Sequence, residues 1–334
     1  MTESVFSSQI NQVTPGNLAT GSDPQASAVS SSANPLIQNR IQGLVWKITI
    51  ATLLLMAVGS ATRVMNAGLA CPDWPLCYGQ LVPSQQMNLQ VFLEWFHRLD
   101  AALIGLSTLL LVGITWWQRQ HLPRWLPWAA TFALSLILFQ GVLGGLTVTE
   151  LLRFDIVTAH LGTALLFFCT LLAIAAMLLP YQGTGTAGKL SIWGGIAVIL
   201  VYLQCLLGGL VGSQWALHQC FGYGELCAVM NSHLWGVLPA SLSSAIVAIG
   251  AWRTPGLHPY LRRLSRLVSI LLLSQIALGY ATFKLHLQVE PLTVAHHTLG
   301  AALVGTLVVF TVLAWRDRSP TITTIKPISQ SLVA

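Results

Sequence analysis

Four histidines carry the most specific chemical signal in this chain: His97, His160, His233 and His296. His97 and His160 are 63 residues apart, His233 and His296 are also 63 apart, and the second pair follows the first at an offset of 136. Each falls near one end of a long apolar run. An imidazole in that setting costs free energy unless it is paired or ligated. Two neutral imidazoles on facing helices are a ligand set by which a four-helix bundle grips a haem iron from both sides. A hydrogen-bonded core histidine is the plainer reading of any one of them. Four in a repeated pattern point instead to two haem sites, one per pair. His297 lies about 100° further round the helix than its neighbour, so the interval selects His296 as ligand and leaves His297 as a supporting or lipid-interface residue.

Glu94 lies one turn before His97 on the same helix face. A carboxylate there can shuttle protons or polarise a substrate; the alternative is a solvated interfacial carboxylate paired with Arg98. The second half carries Met230 at the corresponding position, so acid–base capacity belongs to the first pair alone. Two polar loops hold paired cysteines, Cys71 with Cys77 and Cys220 with Cys227. Five residues separate the first two, which is not the spacing of thioredoxin-like redox motifs. A structural disulfide is the main reading of each pair, with a redox-active Cys71–Cys77 as the alternative. Cys169 and Cys205 sit in apolar runs and read as small core residues.

The elements that position these residues are membrane spans. Charged residues are only 8% of the 334-residue chain and hydrophobic ones 54%, against roughly 25% charged in soluble domains. Eight apolar segments, each near the roughly 20 residues a span needs, run over about 44–63, 95–117, 126–148, 157–180, 191–212, 232–252, 266–283 and 293–315. With the N-terminus inside, cytoplasmic segments hold 12 of the 16 Lys and Arg residues, leaving Arg63, Arg98, Arg153 and Lys284 outside. That is a positive-inside bias. It explains the net charge of +6 without a nucleic-acid partner, puts both termini in the cytoplasm, and sets the cysteine loops on the side where disulfides form. Residues 1–43 read as a disordered cytoplasmic tail without the apolar core of a signal peptide. Residues 44–180 and 191–315 read as two four-helix halves joined by a Gly/Thr-rich linker, and 316–334 as a second tail. The fold class expected is an all-α membrane protein of two pseudo-symmetric four-helix bundles, related by a two-fold axis along the membrane normal.

The segment GSATRVMNAGLACPDWPLCYGQLVP (59–83), followed by EWFHR (94–98), TAH (158–160), NSH (231–233) and VAHH (294–297), resembles the haem A synthase family over residues 45–315. The resemblance implies oxidation of the C8 methyl of haem O to a formyl group, giving haem A for terminal oxidases. It implies that His97 and His160 hold the substrate haem, that His233 and His296 ligate a haem b cofactor, that Glu94 is catalytic, and that Cys71 and Cys77 form a disulfide. It further implies an inner-membrane protein with haem sites near the outer face. Implied partners are haem O, membrane lipid, an electron-transfer partner and the farnesyltransferase that makes haem O. Two other classes fit the four histidines: a di-haem b-type cytochrome that only transfers electrons, and a non-catalytic haem carrier.

Overall fold

The computed structural model describes residues 35–214 and 224–318. Among them, eight helices are long and apolar enough to cross a membrane: α1 (Pro35–Val64), α2 (Leu89–Trp117), α3 (Trp125–Thr149), α4 (Phe154–Leu178), α5 (Leu190–Gln214), α6 (Glu225–Arg253), α7 (Pro259–Lys284) and α8 (Glu290–Asp317). The helices outrun the apolar segments at most ends, because polar residues such as Asn88, which caps α2 by accepting from the Val91 amide, still find helical hydrogen bonds beyond the hydrocarbon. One expected boundary is wrong. Residues 35–43 continue α1 rather than belonging to a tail, since Ile41, Val45 and Ile48 form one buried stripe at helical spacing. The remainder of the expected N-terminal tail and residues 319–334 lie outside the described residues, as does Cys220.

Packing follows chain order. The helices α1 to α4 pack side by side around a closed circuit, α1 against α4 included, and α5 to α8 do the same, with α5 against α8. Contacts of α1 with α8, and of α4 with α5 and α8, join the two circuits. Helix α4 shows why: Phe167, Leu171 and Ile174 pack with α1 to α3, while Phe168, Leu172 and Ala176 on its other side pack with the later helices. Lipid is as apolar as leucine, so close contact rather than water exclusion holds such helices together. Close contact needs small residues, and Gly305 of α8 supplies one: a β-carbon there would meet the Phe168 ring at 2.7 Å.

The turns after α3 and α7 share an uncommon backbone. Leu151 and Leu152 have φ of 51° and 60°, and His286 and Leu287 have 51° and 59°. Left-handed φ in successive bulky residues is strained. Each turn offsets this by returning amides to the helix end, from Leu152 to the Thr147 carbonyl at 2.8 Å and from Leu287 to Thr282 at 3.0 Å. The segment joining α4 to α5 is no loose linker. Asp317, fully buried at the end of α8, accepts from the Tyr181 hydroxyl at 2.9 Å and from the Thr184 and Ala187 amides at 2.8 Å each. The carboxylate thus clamps the α4–α5 connection to α8, where the sequence reading began a tail at residue 316. Replacing it with alanine strands those donors, so Asp317→Ala should lose about 2 kcal/mol of stability. The measurement is the thermal midpoint of purified protein in detergent, and an unchanged midpoint would remove the clamp.

Candidate functional site

The histidines expected to act in pairs all sit within the first three turns of even-numbered helices: His97 in α2, His160 in α4, His233 in α6 and His296 in α8. His97 and His160 face each other with ring centroids 6.5 Å apart and planes at 65°. That separation suits a single metal atom between them, given metal–imidazole bonds of about 2.0–2.1 Å and the span from each nitrogen to its ring centre. His296 and His297 both lie within electrostatic reach of His233.

Each of the four rings rests on a glycine of the preceding helix. A β-carbon on Gly59 would stand 2.8 Å from the His97 Cε1; on Gly144, 3.3 Å from that of His160; on Gly208, 3.0 Å from that of His233; on Gly279, 3.0 Å from that of His296. Each ring also leans toward the backbone of the residue one turn before its glycine, namely Leu55, Gln140, Gln204 and Gln275. The Nδ1 atoms of His97, His160 and His296 are buried but stop short of a hydrogen bond of ordinary geometry. That of His233 lies 3.1 Å from the Gln204 side-chain nitrogen. An imidazole whose Nδ1 side is turned to backbone presents Nε2 as the ligating nitrogen. The same cradle under all four rings separates His296 from His297. His297 has a different anchor: its Nδ1 pairs with the Ser60 hydroxyl of α1 at 2.8 Å.

These residues fit haem. Among the described residues no cluster of three or more His, Cys, Asp or Glu could hold a bare metal ion. A porphyrin needs only two axial groups from the protein, and the facing imidazoles of His97 and His160 could supply them through Nε2.

Over the first pair lies the loop between α1 and α2. Cys71 and Cys77 form a disulfide, with Cα atoms 4.8 Å apart. Glu94 is not the solvated carboxylate of the sequence alternative: it is only 4% exposed. It accepts from the Cys71 amide at 2.8 Å and pairs with Arg98. Arg98 in turn donates to the carbonyls of Asp73, Leu76 and Cys71. Asp73 folds the loop back by accepting from the Tyr78 and Gly79 amides at 2.6 and 2.8 Å. The loop reaches across the bundle, where the Trp74 indole lies against Gly145, next to the glycine under His160. Residues on both sides of His97 therefore tie down a cover that touches the cradle of its partner. On the other half, Cys227 is disulfide-bonded, and its expected partner Cys220 lies outside the described residues.

Sequence reasoning missed the glycine cradles, Ser60 and the loop-pinning role of Arg98. One signal was within reach: the likeness of Gln140-Gly-Val-Leu-Gly144 to Gln275-Ile-Ala-Leu-Gly279 carries both the cradle glycine and the residue one turn before it. His258 packs its ring 4.4 Å from that of Tyr181 and caps α7 by accepting from the Tyr260 amide.

An all-helical architecture with eight helices long and apolar enough to cross a membrane, and with His97 and His160 facing each other toward one end of the bundle, defines a polytopic membrane protein. Residues 42–237 match the COX15-CtaA family, described as cytochrome oxidase assembly protein, and the chain belongs to that family. It is 28% identical to the haem A synthase of Shewanella oneidensis, over 83% of this chain and 98% of that protein. Identity to the haem A synthase of Caulobacter vibrioides is 27% over 83% and 96% of the two chains. For that of Geobacillus kaustophilus it is 25% over 81% and 90%.

The cradles make a direct prediction. Valine at Gly59 or Gly144 pushes a branched side chain into the imidazole, an overpacking of about 1–3 kcal/mol. Haem retained by purified G59V or G144V should fall about tenfold. Gly141 has no atom within 4 Å of its would-be β-carbon, so G141A should keep its haem and gain about 0.5–1 kcal/mol of helix stability. Pyridine haemochrome analysis reads the first effect and thermal melting the second.

Proposed function

We propose that this chain is a haem A synthase, oxidising the C8 methyl of haem O to a formyl group and so supplying haem A for terminal oxidase assembly. The observation that carries the reading is the facing His97–His160 pair beneath a disulfide-closed loop held by Glu94 and Arg98. Family membership and the names of the relatives support it. In this reading His97 and His160 hold haem O as substrate, and His233 and His296 hold a resident haem b. The halves 44–180 and 191–315 are related by a pseudo-two-fold axis along the membrane normal, a reading supported by the 136-residue offset and by the matching turns after α3 and α7. Both termini are cytoplasmic, so the histidine pairs lie toward the outer face of a bacterial inner membrane.

Oxidation of an unactivated methyl is beyond amino-acid side chains, and haem supplies the redox chemistry when bound. The chain's own residues do the rest. The imidazoles of His97 and His160 fix the substrate ring, and their glycine cradles fix the imidazoles. The loop of Cys71–Cys77, with Trp74 at its tip, covers the pair and keeps bulk water from it. Two successive hydroxylations of the methyl give a geminal diol, which loses water to the aldehyde. Each hydroxylation is a two-electron oxidation of the methyl carbon that moves two protons with the electrons, and Glu94, one turn from His97, is the group placed to exchange protons with the site. The second pair lacks a carboxylate at Met230, so methyl oxidation belongs to the first half. His297 and Ser60 join the halves directly, because Ser60 follows Gly59 and His297 follows His296 in the chain.

Two experiments test the assignment. Glu94→Gln keeps the Cys71 contact while removing the base, so membranes expressing it beside a haem O producer should accumulate haem O, with haem A falling about 10²-fold or more. Undiminished haem A ends the catalytic role of Glu94, and haem b alone at two per chain in the wild-type protein favours the electron-transfer cytochrome. His296→Leu should abolish low-spin haem b while His297→Leu retains it; the reverse result would exchange their roles.

A further inference from the structure

A recess of about 340 Å³ opens at the end of the bundle opposite the histidine pairs, lined by Leu257, Pro259, Arg262, Arg263 and Arg266. It sits where α6 turns into α7. Three guanidinium groups within five residues of one helix repel one another at i, i+3 and i, i+4 spacing. Nothing among the described residues neutralises them: the ion pairs there join Arg98 to Glu94 and Arg153 to Glu150 and Asp155. The helices that pack on α7 are α6 and α8. Their acids Glu225 and Glu290 begin those helices at the opposite end, and Asp317 is occupied by Tyr181, Thr184 and Ala187. Arg262 donates one Nη2 hydrogen bond to the Thr254 carbonyl at 3.1 Å, while its Nε is buried without a partner. The positive end of the α7 helix dipole lies at the same spot.

Below the arginines the α7 surface is apolar and exposed. Leu267, Ile270 and Leu273 are 41%, 61% and 68% exposed. They follow Arg263 and Arg266 at one-turn and two-turn spacing, so they share a face with them. A cationic recess thus runs directly into a lipid-facing stripe. A free phosphate would use the recess and leave the stripe idle; a phospholipid uses both. We propose that this recess is a binding site for an anionic phospholipid, with its phosphate among Arg262, Arg263 and Arg266 and an acyl chain along Leu267, Ile270 and Leu273.

The test uses the full chain in detergent, with lipid retention read by native mass spectrometry. Arg263 and Arg266 are exposed, so R263Q/R266Q should fold and melt like the wild type; Arg119, an exposed arginine between α2 and α3, supplies the control R119Q. Wild-type protein should retain phosphatidylglycerol about tenfold over phosphatidylcholine, at about the strength expected of basic residues near a headgroup. The double variant should lose that preference about tenfold, and R119Q should keep it. Three results would each overturn the proposal: equal retention by the double variant, an equal loss in R119Q, or displacement of phosphatidylglycerol by inorganic phosphate at millimolar concentration. None of these readouts depends on haem, so the site stands or falls apart from the proposed activity.

Discussion

An imidazole held among apolar helices needs a neighbour close enough to fix its ring and a reason not to be expelled. Both needs are met here by a single device: a glycine on the preceding helix, with the backbone of the residue one turn earlier turned toward the ring. Any β-carbon at that glycine would occupy the space of the imidazole edge. Because the glycine lies near the end of an odd helix and the histidine near the start of the next, the antiparallel helix pair is the working unit. It occurs four times. Two such units closed on each other bring the rings of His97 and His160 to within 6.5 Å of each other, and this requirement governs which helices must touch. The circuits α1–α4 and α5–α8 are that closure.

The units are equal in cradle and unequal in cover. Over His97 and His160 the loop is pinned by a disulfide, by Arg98 through three carbonyls, and by Glu94 through the Cys71 amide. The second pair has a serine hydroxyl from the other half behind it instead, through His297. The bonds from Ser60 to His297 and from Arg63 to the Ser213 carbonyl at 2.8 Å both run from α1 to the later helices, close to the rings. At the far end Asp317 ties the α4–α5 connection to α8. The halves are therefore fastened to each other at both ends of the bundle as well as packed along it.

Much of this was legible in the sequence. Spans were, because a 20-residue apolar run has few other uses. The pairing of His97 with His160 was legible because intervals in a repeated architecture translate into matched depth. The start of α1 was not: the polar composition before residue 40 masks the stripe of Ile41, Val45 and Ile48, which reads as amphipathic only once α4 is known to lie against it. Nor was the role of Asp317, since its three partners lie about 130 residues away and form a turn with no fixed motif. Glycines are common in membrane helices for packing alone, and only contact with an imidazole distinguishes Gly59 or Gly144 from Gly141.

The buried Glu94–Arg98 pair connects cover and chemistry. An isolated carboxylate at 4% exposure would be expelled or protonated; beside Arg98 and the Cys71 amide it is tolerated as a neutral unit. Breaking a buried pair is usually costly because it strands a charge. Arg98 is an exception by construction, since its remaining donors already serve the carbonyls of Asp73, Leu76 and Cys71. If Glu94 takes a proton, as the proposed reaction requires, the guanidinium stays solvated by the loop, and the carboxyl keeps the Cys71 amide. The loop carbonyls thus let the carboxylate change charge without the cover opening, and the disulfide limits how far those carbonyls can drift. In the proposed reaction this gives the stiff loop a task that a cytochrome passing electrons alone would not set: holding Glu94 and its counter-charge in register with His97 while protons move.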